Sequence, residues 1–260
     1  MGDINYRPLI DDMTFSYSRL KSYAQCPYGW KLNYIDRFSK EDKFYASYGS
    51  LMHSVIEKYL TGQISRSEMK LEFLTRFGTE VEGERPSAKT IESYIASSLE
   101  YFNNFDDFDM NTLAVEQRVT FDIEGIPMTG ILDYLGEKDG DIYLIDHKSH
   151  ELKPRSKRAK PTVKDKELDE YLRQLYLYST AVKEQYGKFP KELWFNCFRF
   201  NRLVKEQFSE ERYNEAVQWA VNTVNTIKED SDFEDNYEYF FCRWICDQSH
   251  NCEVYENEVF

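Results

Sequence analysis

Two short segments carry the strongest chemical signal in this chain. GILDYLG, residues 130–136, contains Asp133, and IYLIDHKS, residues 142–149, contains Asp146, His147 and Lys148. Residues two apart on a strand point the same way, so Asp146 and Lys148 share a face. Asp139-Gly140 is a strong hairpin signal that folds the Asp133 strand back beside the Asp146 strand. Two carboxylates and an ammonium group then converge. The carboxylates alone repel, and a hard divalent cation such as Mg²⁺ or Mn²⁺, which takes oxygen ligands, removes the conflict. Lys148 would orient or deprotonate a water, or neutralise charge developing on a phosphate. The competing reading is a surface salt-bridge cluster on a hairpin. Against it, Asp146 follows an apolar run and sits where a buried strand emerges, where an unpartnered charge is costly.

The elements that must position these groups follow from periodicity. The first hundred residues read as helices: one capped by Ser16 or Ser18 and stopping near Cys26-Pro27, then about 45–61, Glu68–Phe77 and Ile91–Phe105. From about Leu113 the pattern alternates, giving strands Val115–Ile123, Met128–Leu135 and Ile142–Asp146. Residues 151–166 are polar and basic. A helix follows over 167–186, then strands Leu193–Phe200 and Leu203–Phe208, then a helix over 210–228. An acidic stretch, Glu229–Glu238, leads into a cysteine-rich tail. The expectation is an α/β fold with an N-terminal helical region (1–112), an α/β core (113–230) and a tail (231–260) packing back on the N-terminal region, all in one compact domain.

FSYSRLKSYAQCP, GSLMH, GILDYLG, LIDHKS and QLYLY occur in this order. Together, over about Phe15 to Tyr178, they resemble the RecB-type nucleases of the PD-(D/E)XK superfamily. The resemblance implies a restriction-endonuclease-like core, a mixed central sheet flanked by helices, and a metal-dependent nuclease cleaving DNA phosphodiester bonds. It places metal ligands on His53, Asp133, Asp146 and the backbone carbonyl of His147. It places the catalytic lysine on Lys148 and the Gln-x-x-x-Tyr motif on Gln174 and Tyr178. The residues themselves agree. His53 lies at the edge of the apolar stripe of its helix, and Gln174 and Tyr178 are i,i+4 on one face with Tyr171. Glu116, on the strand before Asp133, is either a further acid near the metal or a strand-edge salt bridge.

Residues 151–166 hold seven Lys or Arg against Glu151 and Asp165. Lys153, Arg155, Lys157, Arg158 and Lys160 are the expected contacts to DNA phosphates, with binding that weakens as salt rises. The alternative is a solvated loop without a partner.

Five cysteines is an odd number, and no export signal is visible, so metal binding or burial is favoured over disulfides. Cys242-x3-Cys246-x5-Cys252 needs a fourth ligand, from Cys26, His250 or Cys197. The layout resembles the iron–sulfur subset of the family, AddB and the CRISPR-associated adaptation nucleases, which implies a 4Fe–4S cluster on Cys26, Cys242, Cys246 and Cys252. That subset usually has x2 in the first interval. A structural Zn²⁺ site on the tail trio with Cys26 or His250 is the alternative. Cys197 alternates within a strand and reads as core.

The chain has 260 residues and a formal net charge of -13, with 33 Lys and Arg against 46 Asp and Glu. The charge argues against a passive nucleic-acid coat protein, which is usually basic, and does not exclude an enzyme with a local basic track. Mean hydropathy is -0.68 and no apolar run approaches a membrane span. MGDINYRPLIDD is no secretory signal, and Tyr6 stands where a myristoylation motif needs Ser or Thr. The expectation is a cytoplasmic protein of a bacterium, or of a phage acting in its host. No P-loop sequence is present, so no helicase motor is expected. Its partners would be DNA ends or single strands and other replication or recombination proteins. A rival expectation is a noncatalytic DNA- or protein-binding subunit carrying a structural metal.

Overall fold

The computed structural model describes residues 6–259; the amino-terminal Met-Gly pair lies outside them. A short helix, α1 (Arg7–Asp11), precedes α2 (Tyr17–Gln25), whose cap is Ser16 accepting a hydrogen bond from the Arg19 amide. The sequence places a stop at Cys26-Pro27. The structure instead starts a new helix there, α3 (Pro27–Tyr34), with the Cys26 sulfur accepting from the Gly29 amide at 3.4 Å. Proline has no amide hydrogen and a preset φ, so it opens a helix as readily as it ends one. Three helices follow, α4 (Phe44–Leu60), α5 (Arg66–Glu80) and α6 (Ala88–Asn104). Each is close to its expected bounds.

Five strands form one sheet in the order β1 (Asn111–Ile123), β2 (Ile126–Lys138), β3 (Asp141–Lys148), β4 (Glu192–Cys197), β5 (Arg202–Gln207). Neighbours are antiparallel except β3 and β4, which are parallel. A parallel pair needs a long crossover, and α7 (Val163–Tyr186) supplies it. The helix starts before the expected position 167. Asp165 and Thr162 form a reciprocal capping box, so the end of the basic segment is helical. The second hairpin differs from the expected one in a single turn: Phe198–Phe200 is a 3-10 turn ending on Asn201 at φ 43°.

Alternate residues of the central strands face opposite layers. Leu144, Leu193 and Phe195 pack with Leu20, Leu175 and Ala220 of α2, α7 and α8 (Glu210–Glu229). Ile145 and Trp194 pack with Met52, Phe73 and Phe102 of α4, α5 and α6. The result is a mixed sheet with helices on both faces, the α/β architecture expected from the sequence. The tail, with α9 (Tyr239–Trp244) and α10 (Glu253–Val259), hydrogen-bonds to the amino-terminal segment. Asp247 accepts from Asn33 Nδ2 at 2.9 Å, and the buried Lys43 ammonium donates to Ser249 Oγ at 2.7 Å. Among the described residues no helix is long and apolar enough to cross a membrane.

Candidate active site

The β2–β3 pairing ends at Tyr134↔Ile145. Asp133 and Asp146 are the next residues on each strand, so both carboxylates stand where the strands part. β1 contributes from the other side. Its register runs from Val115↔Tyr134 to Gln117↔Leu132, which leaves Glu116 opposite Asp133. Glu116 has φ 46°, a left-handed conformation that strains a residue with a Cβ by about 1–3 kcal/mol. Both strands change face at this point: Val119 and Leu132 lie in one core layer, Val115 and Tyr134 in the other.

His53 on α4 closes the group. Its Nδ1 lies 3.2 Å from Glu116 Oε1 and 3.6 Å from Asp133 Oδ2, and its Nε2 lies 3.1 Å from the His147 carbonyl oxygen. Asp133 Oδ2 also accepts from the His147 amide at 2.7 Å. Burial opposes a charge on His53, but Asp133 and Glu116 outweigh it and push its pKa up to about 9. Burial, then the nearby Asp146, push the Asp133 carboxyl up to about 7. These are the marks of an acidic pocket that wants a cation. The donor atoms of His53, Glu116 and Asp133 all lie within 4.8 Å of one another, a mixed nitrogen and oxygen set suited to Mn²⁺ or Mg²⁺. Of the two sequence readings of Glu116, the geometry puts it among these donors, paired with His53.

Asp146 and Lys148 face α7. Lys148 Nζ lies 2.6 Å from Asp146 Oδ2 and donates to Gln174 Oε1 at 3.0 Å, while Gln174 Nε2 donates to Asp146 Oδ1 at 2.8 Å. Gln174 thus reads both charges and fixes their spacing. Burial works against the Lys148 ammonium, yet Asp146 and Asp133 hold its pKa above the ordinary lysine value. Lys148 is therefore a charged donor and not a neutral base in this state. Tyr178, one turn along, lays its ring on Gly130, where a methyl group would collide with it. Burial pushes its phenol up to about 12, so it stays protonated. His147 turns to the opposite layer, where Asn196 Nδ2 donates to its Nδ1 at 3.1 Å, and burial keeps its ring neutral.

A groove of about 560 Å³ between α2–α3 and α7 leads to Lys148, Gln174 and Tyr178 and ends beside Cys26 and Cys246.

The profile of the PD-(D/E)XK nuclease superfamily matches residues 14–253. The chain belongs to that superfamily. Among solved structures, a presumed exonuclease of Eubacterium rectale aligns over 99% of this chain and 92% of that chain, at 14% identity and a TM-score of 0.51. That likeness is one of fold. The structure of SSO0001 aligns over 91% of this chain and 95% of that chain at 15% identity, with a TM-score of 0.32 that is too low to argue from. No curated protein matches.

In this PD-(D/E)XK chain the predicted residues fall into three groups. His53, Asp133, Asp146, the His147 carbonyl, Lys148, Gln174 and Tyr178 meet around the fork. The basic segment does not line the groove. It is tied toward β5 by Glu151 to Arg202 at 2.8 Å and by Arg155 to Glu206 at 2.9 Å. Arg155 also binds Asp169 at 2.6 Å, so its charge is already paired, whereas Lys153, Lys157, Arg158 and Lys160 are exposed. The buried Asp165 carboxylate accepts from Ser156 and Thr162, which holds its pKa well below the ordinary value and gives the loop a fixed shape.

The third group is the thiols. Cys26 and Cys246 both face the space over Gly29. Burial pushes the Cys242, Cys246 and Cys252 thiols up, Cys246 to about 12. Cys197 is fully buried in β4, as the alternation implied. Lys21, which lines the groove beside Lys148, had no sequence signal: a lone lysine on an amphipathic helix reads as solvated.

Proposed function

We propose that this superfamily member is a Mg²⁺- or Mn²⁺-dependent deoxyribonuclease, an exonuclease or single-strand and end-processing enzyme in DNA replication, recombination or repair. The observation that carries the reading is the meeting of His53, Glu116, Asp133 and Asp146 with the charged Lys148 at one strand fork. His53 Nε2, the two aspartates and the His147 carbonyl would hold the metal, with Glu116 beside them. When bound, the cation supplies an activated water and neutralises charge on the scissile phosphate. Lys148 donates to a phosphate oxygen or to the attacking water, and Gln174, bonded to both, holds its ammonium beside Asp146. Glu116 orients His53 through Nδ1, leaving Nε2 for the metal once the ring is neutral.

The same reading assigns Cys26, Cys242, Cys246 and Cys252 to a 4Fe–4S cluster that fastens the two ends of the chain. The facing of the Cys26 and Cys246 sulfurs over Gly29 supports it. Its role is stability, because phosphodiester hydrolysis moves no electrons. Iron and acid-labile sulfide in anaerobically purified protein support the cluster, and zinc in their place replaces it with a tetrahedral site.

The test of the main reading is cleavage of end-labelled single- and double-stranded DNA by the purified full chain. Cleavage with Mg²⁺ or Mn²⁺ and none in EDTA is expected. Binding without cleavage under any divalent metal would make the chain a noncatalytic subunit.

A further inference from the structure

Asn196 carries an amide into a largely apolar layer, and no step of the proposed chemistry uses it. Asn196 and His147 are each 2% exposed and Tyr101 is 1% exposed. Phe105, Phe108, Ile145 and Phe198 belong to the same layer. A buried amide is costly unless its hydrogen bonds are made. Asn196 Nδ2 makes two, to Tyr101 Oη at 2.6 Å and to His147 Nδ1 at 3.1 Å. The sheet register explains the second. β3 and β4 run parallel and place His147 beside Asn196, so both side chains leave the sheet on one face, toward Tyr101 of α6.

His147 joins this layer to the fork. Its amide donates to Asp133 Oδ2 at 2.7 Å, and its carbonyl oxygen lies 3.1 Å from His53 Nε2. Both backbone groups are thus committed to the fork, at a point where the β2 ladder has already ended. The ring is what ties His147 to its other neighbours. Phe108 lies nearly parallel to it, at 14° and 6.3 Å, and His53 meets it edge-on at 5.5 Å. Those contacts set the plane of the ring. The bond from Asn196 is directional and sets its position within that plane. Among the described residues no other group bonds the ring, since Nε2 is buried without a partner.

We infer that Asn196 is a positioning residue of the fork, a role that rests on the proposed metal ligation by the His147 carbonyl. Anchored on Tyr101, Asn196 holds the His147 ring so that the carbonyl is presented to the divalent cation and the amide to Asp133. Among the described residues α6 gives the fork no ligand, and it takes part through Tyr101 alone. A purely structural trio would do no more than satisfy its own hydrogen bonds. The two roles differ in what happens when the whole polar group is replaced by apolar side chains.

The experiment is Mn²⁺ titration calorimetry with a thermal melt of each preparation, on the full-length protein. Leucine keeps the branched shape of asparagine without its donors. Asn196→Leu should lower the melting temperature and weaken Mn²⁺ binding about tenfold, the effect of losing a group that orients a metal ligand. Tyr101→Phe leaves Asn196 in place and should weaken binding by about threefold, as one more distant hydrogen bond would. The double variant Asn196→Leu/His147→Phe strands no polar atom of the pair, so it should regain melting temperature lost in Asn196→Leu. Its Mn²⁺ affinity should stay about tenfold below wild type, although the carbonyl of residue 147 is present in every variant. Affinity that recovers together with stability in the double variant overturns the inference. So does wild-type affinity in Asn196→Leu or, should that variant not fold, in Tyr101→Phe. A wild type that binds no Mn²⁺ would instead remove the metal reading on which the role of Asn196 rests.

Discussion

At the acidic fork, Glu116, Asp133, Asp146 and Lys148 come from one strand meander and His53 and Gln174 from helices packed on its two faces. At the cysteine corner, four thiols come from positions 26, 242, 246 and 252, on short helices and turns. The fork is fixed by sheet register: β2 and β3 pair up to Tyr134↔Ile145 and then part, and Gln174 braces the two charges beyond. The corner is fixed by side-chain hydrogen bonds such as Asn33 to Asp247 and Lys43 to Ser249. Chemistry that needs ångström precision sits on the continuous sheet. Attachment of the tail to the amino-terminal segment is left to side-chain contacts.

If that division is right, damage at the two places should differ in kind. Asp133→Asn and Lys148→Ala should each lower the cleavage rate about 10³-fold, the size of effect seen when a transition-state charge partner is removed, with far-ultraviolet circular dichroism unchanged. Cys252→Ser should lower solubility and melting temperature while the folded fraction cleaves at close to the wild-type rate. A folded Cys252→Ser protein with a hundredfold slower rate would merge the two regions into one functional unit.

The second expectation concerns protons at the fork alone. A metal competes with protons for both His53, pushed up to about 9, and Asp133, pushed up to about 7. Deprotonation favours the metal, so affinity should rise with pH. Isothermal titration with Mn²⁺ should show binding tighter by tenfold or more at pH 8 than at pH 6, with proton release. A flat profile would mean that neither group ligates.

The smallest effect belongs to the packing behind the fork. Gly130→Ala drives a methyl group into the Tyr178 ring. Overpacking of this kind costs about 1–3 kcal/mol, so the melting temperature should fall by several degrees. The rate should fall less than in Lys148→Ala. The double variant Gly130→Ala/Tyr178→Leu should recover part of the stability. No recovery would place the strain elsewhere than at Tyr178.

The legible parts of the molecule were those with a short period. Alternation placed Asp146 and Lys148 on one face, and Asp139-Gly140 brought Asp133 beside them. Helical spacing put Gln174 and Tyr178 together, and His53 at the margin of its stripe. Other features depend on geometry that no spacing announces. Glu116 reaches His53 through a left-handed backbone at a non-glycine residue. Arg155 looked free within a basic run and is paired with Asp169 and Glu206 from distant elements. The α3 helix was hidden because Pro27 reads equally as a stop and as a first residue. Lys21 meets Tyr171 only through the fold, since the two are remote in sequence.

We propose that the fork holds one divalent cation that drives cleavage. Electron paramagnetic resonance of Mn²⁺ titrated into the full chain at pH 8 tests it most directly. Wild type should bind one ion per chain, with binding at least tenfold weaker in Asp133→Asn. Equal Mn²⁺ binding by wild type and Asp133→Asn, or no binding by a wild type that cleaves DNA, would contradict it.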